Sequence, residues 1–239
     1  TRHIEHGSGE DVVEVVKQLA RLHNHRGIAR RMLRHYDEAM DDFKTVRDQA
    51  RPFNNSELLN EMALAYINMA DVQRVGYNDL PAARAALDEA LRHNSNRFGS
   101  LTHAKVLDQL GLVQVAEKYF LGAIQMYKIS RNYCEDLLKS EPDNKDTRHR
   151  LGQVLLHLGF AYVQIGDGQS LKEASKTQVA ALDILVTLGD NNGIVNAVRT
   201  LGQISLQRGN PEEAVQHYTR ARQILQETGC SCASHPLTR

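Results

Sequence analysis

The chain has 239 residues, in which 29 lysine and arginine residues balance 29 aspartate and glutamate residues. This balance gives no net positive field that would attract nucleic acid, and no apolar run approaches the roughly 20 residues needed to cross a bilayer. Three cysteines are too few for a disulfide framework, so the composition favours a soluble protein of the reducing cytoplasm.

The first predicted hairpin follows a polar leader over residues 1–10, which has little apolar surface to bury. A helix is predicted over residues 11–33 because apolar residues recur there at helical spacing. The residues predicted to form its packing face are Val12, Val15, Val16, Leu19 and Leu22. The partner helix carries Ala39, Phe43 and Val46, in which an aromatic residue follows an alanine by four positions.

The second and third hairpins are less regular. Ser56 is the predicted N-cap of the third helix, and a long connection before Pro81 indicates an insertion. In the third hairpin we predict a turn at Gly111 and a long second helix that ends before Pro142. The residues predicted to give this second helix its packing spacing are Ala116, Phe120 and Ala123.

The fourth hairpin carries Leu158-Gly159 in its first helix and a predicted turn at residues 166–168. Its second helix is predicted to pack through Ala174, Val179 and Leu182, although this spacing is irregular. A polar segment over residues 190–193 then separates it from the last hairpin.

The fifth hairpin, residues 194–229, shows the pattern most completely. Leu201-Gly202 lies in its first helix, and the second repeats Ala214, Tyr218 and Ala221 at helical spacing. A left-handed Gly209 is expected to end the first helix, and Pro211 suits the first turn of the second.

These residues resemble a tetratricopeptide repeat (TPR), and the lengthened units resemble the subclass found in adaptor and signalling scaffolds. The resemblance implies an all-α, right-handed superhelical solenoid of helix-turn-helix repeats. The predicted repeat domain covers 11–229, with a disordered tail over 230–239. Its five repeats are predicted over 11–53, 55–96, 97–142, 144–190 and 194–229.

No motif for catalysis, a cofactor or a metal stands out in the sequence. Cys230, Cys232 and His235 are the nearest approach to metal ligands, but they lie in the predicted tail. The turn at 166–168 lacks the preceding strand and the following Gly-Lys-Ser/Thr of a phosphate loop. We therefore expect a non-enzyme that uses neither a cofactor nor a metal.

The resemblance implies that the first helix of each repeat lines a concave groove for a protein or peptide partner. Asparagine and glutamine can donate to and accept from a peptide backbone, and arginine or lysine can bind a carboxylate. The implied peptide-binding residues are Asn24, Asn60, Asn68, Lys105, Gln109, His157, Gln164, Asn196, Arg199 and Gln203.

Two other functions stay open at this point. A helical repeat domain can bind a small effector or a signalling peptide and change its curvature, which is a sensory or regulatory role. Alternatively, the terminal hairpin could form a homo-oligomer, since Leu206, Ile224 and Leu225 have no evident capping helix after them. Nucleic-acid binding and membrane insertion are not indicated. The chain begins with Thr1, which is consistent with a fragment of a longer polypeptide.

Overall fold

The structure, a computed structural model, describes residues 9–93 and 100–228. Within these residues the chain forms helices and no strand, which confirms the predicted all-α class. The helices are α1 (Gly9–Met32), α2 (Tyr36–Ala50), α3 (Ser56–Val75), α4 (Leu80–His93), α5 (Leu101–Ala116), α6 (Phe120–Ser140), α7 (Lys145–Ile165), α8 (Gly168–Leu188), α9 (Asn191–Gln207) and α10 (Pro211–Glu227). Of the predicted leader only Gly9 and Glu10 are described, and they already belong to α1; the predicted tail lies outside the described residues.

The helices divide into two compact units, Thr1–Glu117 and Lys118–Arg239. In the first unit α1 packs on α2, α3 packs on α4, and α3 also contacts α1 and α5. In the second unit α7 packs on α6 and α8, and α9 packs on α10 and α7. Each unit therefore stacks consecutive helix pairs, as the sequence predicts. The boundary between the units separates the two helices of the predicted third repeat.

In several helix pairs, a glycine on the first helix packs directly against a large side chain on the second helix. A Cβ atom at Gly27 would lie 2.5 Å from Cε1 of Phe43, whose ring is buried. A Cβ atom at Gly202 would lie 2.9 Å from the ring of Tyr218. Because even a methyl group would overlap these rings, glycine allows the two helices to approach closely.

The fourth helix pair uses the same geometry with a glutamine in place of the ring. Gln178 of α8 is buried against Gly159 of α7, and its Nε2 donates to the backbone carbonyl of Leu156 at 2.9 Å. The predicted packing position Val179 is instead exposed. That prediction is wrong because the residue that α8 buries here is the polar Gln178, whereas the predicted packing position is the apolar Val179.

Four short turns between consecutive helices contain a residue with left-handed backbone conformation. Its φ is 64° at Arg34, 62° at Lys118, 78° at Gly166 and 77° at Gly209. Each lies seven positions after the small residue of the preceding helix, namely Gly27, Gly111, Gly159 and Gly202. The predictions of a left-handed Gly209 and of Pro211 at the start of α10 are confirmed.

The register predicted for the third repeat is wrong by seven residues. Gly111 is not a turn but a buried residue within α5, and Ala116 is the last residue of that helix. The second helix instead buries Ala123, Tyr127 and Ser130. The alanine-to-aromatic spacing occurs twice in succession here, and the left-handed Lys118 gives no glycine signal for the turn.

The predicted insertion between α3 and α4 packs against the first hairpin. The Tyr77 hydroxyl donates to Oδ1 of Asp37 at 2.6 Å, and its ring meets that of Tyr36 edge to face, 6.4 Å apart.

The N-cap of α3 is Asn55, whose Oδ1 accepts hydrogen bonds from backbone N–H groups of the first turn. Ser56 is the first helical residue rather than the predicted cap.

The packing face predicted for α1 is wrong. The residues that α1 buries against its neighbours are Ala20, Asn24 and Gly27. Four of the five predicted packing residues are exposed instead, namely Val12, Val15, Leu19 and Leu22. The helix has apolar residues on two sides, so helical periodicity alone does not identify the side that packs.

Candidate functional site

Two of the predicted groove residues in the first unit take part in packing between helices. Asn24 is buried, and its Nδ2 donates to both the backbone carbonyl and the carboxylate of Glu61 at 3.1 Å. Asn60 accepts a hydrogen bond from the Thr102 hydroxyl at 2.7 Å. We therefore reassign Asn24 from the groove to the α1–α3 contact, because burial leaves it no surface for a ligand.

The other predicted residues of this unit, Asn68, Lys105 and Gln109, are half-buried on α3 and α5. Nearby charges on α1 and α3 neutralise one another. Arg21 lies 3.2 Å from Glu61, and Lys17 lies 2.8 Å from Glu57. These four charges are therefore engaged in pairs between α1 and α3.

The second unit presents polar residues along one side of α9. Asn196, Arg199 and Gln203 follow one another at spacings of three and four, so they share a helix face. Asn196 and Arg199 are exposed and Gln203 is half-buried. The Arg199 guanidinium donates to Oδ1 of Asn196 at 3.3 Å, and no carboxylate in residues 9–93 or 100–228 forms an ion pair with it.

On α7 the prediction identified two residues and missed a third. Gln164 is half-buried, whereas the His157 ring lies 5.7 Å from that of buried Tyr127 and so belongs to the α6–α7 contact. Phe160 is 37% exposed and was not predicted. The sequence contains a signal for Phe160, because Phe160 directly follows Gly159 just as the predicted Gln203 directly follows Gly202.

α7 and α9 pack on each other through an apolar cluster that includes Val163, Leu201 and Ile204. Leu206 lies one turn beyond Gln203 on α9 and is exposed. We call the resulting surface the α7–α9 face; its residues are Phe160, Gln164, Asn196, Arg199, Gln203 and Leu206. It combines two exposed apolar side chains and three amides with one cation that has no carboxylate partner among the described residues, which suits recognition of a peptide.

A separate recess of about 680 Å³ opens in the second unit between α6 and α8. The α7 side chains that line it are mostly apolar and include Leu155 and Tyr162. The Lys128 ammonium lies 5.8 Å from the centre of the Tyr162 ring. The charged residues around the recess are Lys128, Arg131, Glu135, Glu173 and Lys176. The recess therefore joins an apolar α7 lining to a rim of mixed charge.

The described residues include no group of three or more His, Cys, Asp or Glu side chains able to hold a metal ion. Cys230, Cys232 and His235 lie outside the described residues. His103 is buried in α5, where desolvation lowers its pKa and favours the neutral ring. In the described part of the chain, no helix combines the length and apolar character needed to cross a membrane.

The sequence matches no protein-family model and no curated protein. Solved structures match its fold at low identity. BtubC (BKLC) from P. vanneervenii is similar with a TM-score of 0.68 and 17% identity, over 96% of this chain and 93% of that chain. A Podosopora anserina protein described as kinesin light chain nearly identical TPR-like repeats has a TM-score of 0.58 and 14% identity, over 90% and 99% of the two chains. The chain therefore has a TPR-like helical repeat fold.

Proposed function

We propose that the chain is a non-catalytic interaction module that binds a peptide or helix of a partner protein on the α7–α9 face. The observation that carries this proposal is the exposed Arg199, which has no carboxylate partner within the described residues and lies on a face with exposed Phe160 and Leu206. The TPR-like fold supports it because such repeats generally act as protein-interaction scaffolds.

The chemistry of the face indicates how such a ligand would bind. An apolar side chain of the peptide would be buried against Phe160 and Leu206, and Arg199 would pair with a carboxylate. Asn196 and Gln203 would exchange hydrogen bonds with the peptide backbone, because an amide both donates and accepts. We place this role in the cytoplasm, where a reduced thiol such as that of buried Cys134 is usual.

Changing Phe160 and Arg199 together to alanine is expected to reduce partner binding by at least about tenfold, because aromatic and arginine side chains carry most of the energy of such interfaces. The parent chain and the double variant would be used as bait in source-cell lysate, and retained proteins quantified by mass spectrometry. The binding segment of a retained protein would then be synthesised and titrated against both chains.

A second double variant, Lys172→Ala with Val179→Ala, removes one exposed cation and one exposed apolar residue from α8 and serves as the matched control. It should bind as the parent does. Circular dichroism would confirm that all three chains are equally helical. Equal retention of the same proteins by the parent and by the α7–α9 variant would contradict the proposal.

A second candidate function is binding of a small effector, which the recess between α6 and α8 favours. An amphipathic molecule could place its apolar part against Leu155 and its polar part at the charged rim.

A low-molecular-weight cell extract is therefore expected to raise the melting temperature of the parent chain, because a ligand that binds only the folded state stabilises it. Ala180→Trp, which places a large ring on the recess wall, should abolish this shift. If the variant and the parent are stabilised equally, the ligand binds elsewhere and the recess is not its site.

A further inference from the structure

The outer side of α1 carries an exposed apolar stripe formed by Val12, Val15, Leu19 and Leu22, and exposed Leu33 follows directly after the helix. In a stacked array of hairpins, the first helix of each repeat buries this side against the preceding repeat. α1 is the first described helix, so no hairpin in the described residues covers it.

Equivalent positions in the other repeats show what this stripe corresponds to. Leu22 lies five residues before Gly27, the small residue that contacts the second helix, and its side chain is 64% exposed. The residues at the same position in the other four first helices are Ala65, Val106, Val154 and Ala197, and all four are completely buried. The outer side of α1 therefore has the apolar residues of an internal repeat junction, not the polar surface of an end cap.

The last hairpin shows the complementary half of the same junction. Tyr218 of α10 is 37% exposed, whereas the residues at its position in the other second helices, Phe43, Leu87, Tyr127 and Gln178, are completely buried. Val215 is 63% exposed, although Met40 and Ile124, which occupy its position in α2 and α6, are buried. α10 is the last described helix, and it presents the side that would receive the first helix of a following repeat.

We propose that these two faces bind each other between copies of this chain, so that α10 of one copy packs against α1 of the next. We define the head face as Val12, Val15, Leu19, Leu22 and Leu33, and the tail face as Val215 and Tyr218. Arrays of this kind normally end in repeats with a polar outer side, and both described ends depart from that rule. The occupant we propose is a second copy, because the head face has the apolar residues of a first helix at a repeat junction and the tail face has those of the second helix that such a junction pairs with it.

This association is independent of peptide binding, because neither face includes a residue of the α7–α9 face. Each copy carries one head face and one tail face, so a dimer still exposes one of each. The contact is therefore heterologous, and it builds closed rings or open chains of copies.

Sedimentation velocity of the purified chain over a concentration series tests the proposal. The parent is expected to form species larger than a dimer as its concentration rises. Leu22→Glu, which disables the head face, and Val215→Glu, which disables the tail face, should each remain monomeric. An equimolar mixture of the two variants should form a heterodimer and nothing larger, because one intact head and one intact tail remain.

Leu121→Glu is the matched control, since Leu121 is 65% exposed but belongs to neither face, and it should assemble as the parent does. Circular dichroism would show whether each variant is folded. If Leu22→Glu or Val215→Glu unfolds, then Leu33→Glu or Val215→Lys would repeat that arm of the experiment.

A parent chain that stays monomeric at all concentrations would overturn the proposal, and would indicate that another segment or protein covers the head face. Self-association of Val215→Glu alone would also overturn it, because that result requires two head faces to pair with each other. A mixture of the two variants that stays monomeric would equally exclude the head-to-tail contact.

Discussion

Phe43→Ala is expected to lower the free energy of unfolding by about 3–5 kcal/mol, the usual cost of removing a buried aromatic ring. The ring of Phe43 is fully buried between α1 and α2 and lies directly against Gly27. Truncation to alanine removes these contacts and leaves a cavity. The other contacts between α1 and α2 keep the two helices from moving together to fill it. Urea unfolding followed by circular dichroism measures the change.

Gly27→Ala makes this prediction more specific. In the parent, the new methyl group would lie 2.5 Å from the Phe43 ring, so overpacking is expected to cost about 1–3 kcal/mol. In the Phe43→Ala background the obstacle is gone, and alanine is a better helix former than glycine by about 1 kcal/mol. The same substitution should therefore destabilise the parent and stabilise the variant.

Phe160→Ala provides the control, because Phe160 is partly exposed and its removal leaves no closed cavity. It should cost much less than Phe43→Ala. Additive effects of Gly27→Ala and Phe43→Ala would show that the two residues do not contact each other in the folded chain.

Asp42→Asn is expected to lower the free energy of unfolding by about 1.5–3 kcal/mol, the range for hydrogen bonds to a charged group. Asp42 of α2 is buried and holds three side chains of α1. Its carboxylate lies 2.5 Å from Arg26, 2.7 Å from Arg30 and 3.2 Å from Nδ1 of His23. Asparagine keeps the size of the side chain, so the loss reports the charge rather than a cavity.

The effect should depend on pH in a defined direction. Burial raises the pKa of Asp42, but hydrogen bonds from Arg26, His23 and Arg30 outweigh this, and the net pKa lies below the usual value for aspartate. A depressed pKa stabilises the fold above the unfolded value of about 3.9, and this stabilisation is lost as the pH falls through the folded pKa. The difference between the parent and Asp42→Asn should therefore be full at neutral pH and shrink below about pH 4.

Asp41→Asn is the control for the neighbouring position. Asp41 is exposed, and its nearest cation, Lys44, is 3.9 Å away, so the change should stay within about 0.5 kcal/mol at every pH. If Asp42→Asn proves no more destabilising than Asp41→Asn, the buried carboxylate does not hold α1 to α2.

How far the sequence predicts this fold can be seen in the turns. Glycine and proline mark the turn before α10, and there the prediction is confirmed at Gly209 and Pro211. At Lys118 the same left-handed conformation is adopted by a lysine, and the predicted register slips by seven residues. Counting seven positions from Gly111 would have located that turn, because the distance between glycine and turn is the same in four repeats.

The candidate site was predictable in part, for a similar reason. Gln203 and Phe160 each directly follow the glycine of their helix. Applying the same repeat position to α7 would therefore have identified Phe160 as well. The burial of Asn24 was not predictable, because its hydrogen bonds go to Glu61, which lies 37 positions away along the chain. Whether a polar residue is available to a ligand depends on whether it already forms a hydrogen bond to a neighbouring repeat.

The sequence by itself determined that the chain is helical, that its helices come in pairs and where most of them begin and end, because these features depend on spacing, capping and turn residues within one hairpin. Tertiary structure decided which side of α1 is buried, that Gln178 replaces an aromatic ring, and that Arg199 has no acidic partner among the described residues. Those outcomes depend on side chains that meet from distant positions, and helical periodicity carries no information about such neighbours.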